Sequence, residues 1–190
     1  MMPPYRQTFI FFLLYFFSFT LDEEVTLRNL GPNINSPDCL ETFPYLSPDG
    51  RTLFFSRRPV SGGVLENIFY SKKNSDGEWS PAVPMEIFNN SNRNFVHHIS
   101  ADGHQIVLQG TYGDTPSGLG LSWSRRTEKG WTAPKAFRLP GINPFDWMNF
   151  KATLNSDGRI LIASFAYDLH LSRRISEEEW SEFRLSLIHI

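Results

Sequence analysis

One short turn occurs three times in this chain. "SPDGRTLFFS" at 47–56 returns as "SADGHQIVLQ" at 100–109 and as "NSDGRILIAS" at 155–164. Asp49, Asp102 and Asp157 stand 53 and then 55 residues apart, each followed by Gly. Trp79, Trp131 and Trp180, each followed by Ser or Thr, stand 52 and then 49 apart. Between these markers lie "NIFYSKK", "GLSWSRR" and "DLHLSRR". Three markers in one order with nearly one period restrict the chain to a repeat architecture. In such a fold each unit is one supersecondary element that buries its apolar faces on its neighbours.

A single period reads as strands. "TFPYLS" ends in a Pro-Asp-Gly turn, where Asp bonds its own backbone and Gly takes a positive φ at no steric cost. "RTLFFS" carries the aromatic and aliphatic residues of a buried strand. In "NIFYS", Ile68 and Tyr70 share one face by the two-residue strand period. "WSPAVPM" reads as a fourth strand whose prolines suit an edge. The first unit thus predicts strands over 43–47, 52–56, 67–71 and 79–83, with equivalents in the other two. Four antiparallel strands in about fifty residues make a β-propeller blade. The expected fold is all-β, with blades over about 41–88, 94–140 and 149–184 and a tail at 185–190 that leaves the repeat. Gly and Pro, 13 each, with 17 Phe and 5 Trp, suit a turn-rich β protein.

The segments "LGPNINSPDCLETFPYLSPDGRTLFFS" and "ENIFYSKKNSDGEWSPAV" resemble the WD-like propeller repeat of the TolB type. The order "NFVHHISADG", "GLGLSWSRRTEKGWTAP", "NFKATLNSDG" and "DLHLSRRISEEEWSE" is similar to propellers of bacterial envelope proteins. Those proteins often carry a C-terminal OmpA-like, peptidoglycan-binding domain. The resemblance runs over 29–182. It implies an exported repeat module and brings no catalytic motif with it. Three blades are fewer than the four to eight that close a propeller. The chain is therefore expected to be an N-terminal portion of a longer protein, with apolar surface exposed around Leu161, Ile162 and Leu169 on its last blade.

The N-terminus is different material. Arg6 precedes an unbroken apolar run from Phe9 to Phe17, and acid follows at 22–24. That run is short for a bilayer span and suits a secretory signal, with a retained anchor as the rival, over 1–20. Export to a periplasmic or outer-membrane location is expected. Membrane contact is expected only through this segment or a domain beyond the chain. A net charge of −2 gives no field for nucleic acid. The single Cys39 rules out an intrachain disulfide and a cysteine-cluster metal site.

No nucleophile elbow, phosphate loop or zinc-protease motif is present, so catalytic, cofactor and metal sites are expected to be absent. His97 and His98 are adjacent and point to opposite faces of a strand, so both cannot hold one metal there. Two groups remain as binding candidates. Aligning the Asp-Gly turns brings Glu41, Asn94 and Asn149 into register near a channel mouth, with His97 beside them. Lys72-Lys73, Arg125-Arg126 and Arg173-Arg174 recur after a serine and form a stepped basic stripe. The stripe could meet anionic glycan or lipid headgroups, or serve only to keep an outer strand soluble and block edge pairing. The tryptophans read as packing anchors between blades, with carbohydrate stacking as the alternative. The functional expectation is a non-catalytic binding or scaffolding module with a protein or envelope-glycan partner. The alternative is the propeller portion of a glycan hydrolase or peptidase whose catalytic residues lie elsewhere.

Overall fold

The computed structural model describes residues 26–63, 65–90, 93–110, 120–141, 150–165 and 167–186. Within them lie three antiparallel sheets. The first runs β1 (Cys39–Leu46), β2 (Thr52–Pro59), β3 (Asn67–Lys72), β4 (Val83–Pro84) in spatial order. The second runs β5 (Phe95–Ile99), β6 (Gln105–Gly110), β7 (Gly120–Thr127), and its outer edge is shared by β8 (Gly130–Trp131) and β9 (Lys135–Ala136). The third runs β10 (Lys151–Leu154), β11 (Ile160–Phe165), β12 (Asp168–Arg173), β13 (Arg184–Leu185). These are β-propeller blades, and the described residues form an all-β fold. The 3-10 turn Glu86–Phe88 is the one helical turn among the described residues. The β13 strand reaches Leu185, inside the stretch that the repeat pattern sets apart as a tail.

The first hairpin of each blade closes itself. Asp49 Oδ1 accepts the Ser47 hydroxyl at 2.5 Å and the Arg51 N–H at 3.0 Å, while Ser47 Oγ accepts the Thr52 N–H at 2.8 Å. Ser100, Asp102, His104 and Gln105 repeat this set. In the third blade Asn155 replaces the serine, and its Oδ1 accepts from Arg159 and Ile160. Gly50, Gly103 and Gly158 take φ of 69°, 71° and 68°, which a Cβ would strain.

The outer edge departs from the continuous strand expected over 79–83. Trp79 forms a lone bridge with Lys73, the chain leaves the ladder at Ser80-Pro81, and pairing resumes only at Val83–Pro84. Side chains fill the gap. The buried Ser71 hydroxyl donates to the Ser80 carbonyl at 2.5 Å, and Ser80 Oγ accepts the Lys72 N–H at 3.1 Å. Ser124 with Thr132, and Ser172 with Ser181, make the same pair of bonds. The recurring serine before each basic pair and the hydroxyl after each tryptophan are therefore two halves of one edge closure. Buried backbone groups need such partners.

Blades stack through apolar faces. Phe54 and Ile68 of the first blade meet Val96, Ile106 and Leu108 of the second. Val107, Leu121 and Trp123 of the second meet Leu154, Leu161 and Phe165 of the third. The segment leaving each unit adds one large side chain against the next tryptophan. Phe88 lies 6.0 Å from Trp131, and Phe137 lies 5.4 Å edge-on to Trp180. Ile34 does the same for Trp79, from the segment ahead of β1. The tryptophans are packing anchors between units.

The far face of the third blade differs. Ile68 and Leu121, each three residues before its buried serine, are 0% and 1% exposed, while the equivalent Leu169 is 41% exposed and Leu171 37%. Leu161, expected on this open face, is instead buried, because it points towards the second blade. Its paired partner there is Ser172, whereas Ile162 pairs with Leu171 on the other side.

Trp180→Ala should lower the unfolding free energy by about 3–5 kcal/mol in denaturant titration, the usual cost of emptying a buried aromatic site. Leu169→Ser with Leu171→Ser should reduce binding of a hydrophobic dye while moving stability by less than about 1 kcal/mol.

Candidate functional site

The innermost strands β1, β5 and β10 lie side by side, so residues before each Asp-Gly turn come together across blades. Glu41 accepts the Arg57 guanidinium at 3.0 Å and the Ser36 N–H at 3.1 Å. Arg57 also reaches the Ile34 carbonyl, tying the segment ahead of β1 to the first blade. Asn94 is fully buried, and its amide donates to the Glu66 carbonyl at 3.0 Å. The Asn94 carbonyl accepts the Ser56 hydroxyl at 2.8 Å, a bond between the first and second blades. Asn149 lies outside the described residues.

His97 is buried, with both ring nitrogens engaged. Nε2 lies 2.8 Å from Gln109 Oε1, and Nδ1 accepts the Ala152 N–H of the third blade at 3.2 Å. An acceptor Nδ1 requires a neutral ring with its proton on Nε2. Burial accordingly pushes the His97 pKa down to about 4, against the opposing hydrogen bond to Gln109.

Two clusters here were not picked out from sequence. Tyr45, His98 and Thr153 each stand four residues before their turn aspartate, and His98 Nδ1 lies 3.3 Å from the Tyr45 hydroxyl and 3.2 Å from Thr153 Oγ1. One side chain per blade thus converges on a single nitrogen, and the same turn alignment that located Glu41 would have found them. The second cluster is less legible. Lys151 Nζ sits 3.1 Å above the Phe43 ring, and Phe43 lies 4.3 Å from Phe95. Burial, with the charge of Arg93, holds the Lys151 ammonium below the usual lysine range. Phe43 adopts φ 51° where the β1–β2 register slips between Thr42 and Tyr45. Such a conformation is uncommon for a bulky residue, and no residue pattern announces it.

The basic pairs fall at the outer edge of each sheet. Lys72, Arg125 and Arg173 project to solvent; Lys73 and Arg174 lie over the rings of Trp79 and Trp180 at 5.4 and 5.8 Å. Arg125 stacks over Trp123 at 5.0 Å and pairs with Glu177 of the third blade. On the turn face, a groove of about 460 Å³ runs between the second and third blades, where Arg125, Arg126 and Arg174 meet the two Asp-Gly turns. A smaller groove of about 310 Å³ lies between the first and second blades and is also lined by Arg126. Among the described residues, no group of three or more His, Cys, Asp or Glu is placed to hold a metal ion.

No protein-family model matches the chain, and no curated protein does. Solved structures do. A prolyl endopeptidase structure is similar over 78% of this chain and 22% of that one, with 15% identity and a TM-score of 0.47. Two structures of prolyl oligopeptidase B from Galerina marginata cover 82% of this chain, at 14% identity and TM-scores of 0.40 and 0.43. This chain spans less than a quarter of the length of these solved proteins.

His97 sets an acid limit on stability. Its pKa is about 4 in the fold and 6.5 in the free side chain, so between those values the unfolded chain alone takes up the proton. Stability from this group is complete above pH 6.5 and declines as pH falls, by about 1.4 kcal/mol per pH unit until pH reaches about 4. Urea midpoints between pH 7 and 4.5 should fall accordingly, and His97→Gln should flatten that slope.

Proposed function

We propose that this chain is a non-catalytic binding or scaffolding module built of β-propeller blades, carried in an exported bacterial envelope protein. The observation that supports it is how the repeat spends its reactive side chains. Ser71, Ser124 and Ser172 each give their hydroxyl to a backbone carbonyl. The turn aspartates accept backbone N–H groups, and His97 has no free nitrogen. A general base or nucleophile needs an available lone pair within reach of a substrate. The recurring residues hold the fold instead, and what they present to solvent is a grooved, arginine-bearing face.

The TolB-type resemblance and the apolar run at 9–17 support the envelope setting, where an OmpA-like domain in a longer chain would anchor the module to peptidoglycan. A protein or an envelope glycan is the partner class that fits. In the competing arrangement these blades belong to a glycan hydrolase or peptidase with its catalytic residues elsewhere.

An alkaline phosphatase reporter fused after residue 190 in a bacterial host should be active, because that enzyme matures only outside the cytoplasm. An inactive fusion in the cytosolic fraction would remove the export reading. Recovery of the complete reading frame separates the two arrangements: an OmpA-like domain supports the module, and a catalytic domain supports the enzyme.

A further inference from the structure

We propose that the groove between the second and third blades binds an oxyanion, the carboxylate or phosphate of a small acidic ligand, with Arg126 as its principal donor and Arg174 beside it. The proposal does not depend on export. At about 460 Å³ the groove has the size of small-ligand sites. Three guanidinium groups and the imidazoles of His98 and His104 line it, against the carboxylates of Asp102 and Asp157.

Those carboxylates are already committed. Asp102 Oδ1 accepts the Ser100 hydroxyl at 2.5 Å and the His104 N–H at 2.9 Å, bonds that hold its pKa below the usual range. Asp157 Oδ1 accepts the Arg159 N–H at 2.9 Å. Each stabilises its own turn.

The arginines are not equally committed. Arg125 is neutralised by Glu177. Arg174 donates to the carbonyls of Ser176 and Glu177, and among the described residues it makes no ion pair. It lies against Gly158 at the floor of the turn. Arg126 is the distinctive one. Among the described residues its side chain makes no hydrogen bond or ion pair; its charge acts on the Asp49 carboxylate across the smaller groove, and it lines the grooves on both sides of the second blade. Its backbone is pinned, with its N–H on the His104 carbonyl at 2.8 Å and its strand partner Trp131 opposite. A fixed backbone with an unspent planar fork is the donor geometry that suits a carboxylate or phosphate. One open guanidinium and one partly satisfied neighbour match a single oxyanion, and the net charge of −2 argues against a polyanion.

The test is an NMR titration of the full 190-residue chain at fixed pH and ionic strength, with inorganic phosphate in one arm, glucuronate in the other, and chloride as control. Saturable shifts of the His98 and His104 ring resonances are expected in at least one arm. A response to phosphate alone assigns the site to phosphate ligands; a response to glucuronate alone assigns it to carboxylates. Arg126→Gln should weaken binding by about tenfold or more, equivalent to about 1.4 kcal/mol. Arg126→Lys should fall between, and Arg173→Gln, on the same stripe outside the groove, should stay within about twofold. Amide spectra establish that each variant is folded, and Arg126→Lys carries the test if Arg126→Gln is not. No saturable shift in either arm, or equal weakening by Arg126→Gln and Arg173→Gln, would overturn the proposal.

Discussion

The structure depends on the burial of sheet faces against neighbouring units, which the described residues achieve between the first and second and the second and third blades. A four-stranded sheet with apolar residues on both sides cannot satisfy itself, since one face always stays in water unless another unit covers it. Phe54 and Ile68 on one side of the first blade, and Leu53 and Phe55 on the other, make this concrete. The second blade covers the first pair, and Ile34 with Trp79 covers the second. At about 25 cal/mol per Å² of apolar surface, these stacked faces are the main source of stability. Phe88 and Phe137 extend the same logic, each leaving its own unit to fill space beside the next tryptophan, and Ile34 fills the equivalent space beside Trp79 from the segment ahead of β1.

Polar groups are arranged to permit that stacking. The outer edge would leave backbone donors and acceptors unpaired where the chain bends away at Ser80, Thr132 and Ser181. Hydroxyl groups take their place in every blade. Between blades, His97 joins β5 to β10 and the Ser56 hydroxyl joins β2 to Asn94. These bonds add modest net energy, about 1 kcal/mol each, but leaving one unmade inside the stack would cost more. They also fix the relative positions of adjacent sheets, and so the width of the grooves between their turns.

The proposed binding role rests on what this economy leaves over. Residues that look chemically promising in a sequence, such as paired histidines and repeated aspartates, are absorbed by structural bonds. Arg126 is not absorbed. The hydrogen-bonded turns of the second and third blades line the groove, and a preorganised donor loses little entropy on meeting a ligand.

Period, turn chemistry and alternation determined the repeat, the strand order and the first hairpin, because those depend on residues close together in the chain. The pairing of Ser71 with Ser80 was visible only as two recurrent markers, since neither position reveals its partner without the bend between them. The candidate site was less legible. Glu41, Asn94 and His97 were found by register, but their partners Arg57, Glu66 and Ala152 come from other strands or other blades. The clasp of Lys151 on Phe43 required a slipped register and a positive φ, neither of which follows from residue type. Likewise, "SRR" in the sequence treats Arg125 and Arg126 as equals. Only the packing of the third blade, which brings Glu177 to one and leaves the other facing a groove, distinguishes them. Local physics writes the blade into the sequence; long-range contact between blades decides which charges stay free.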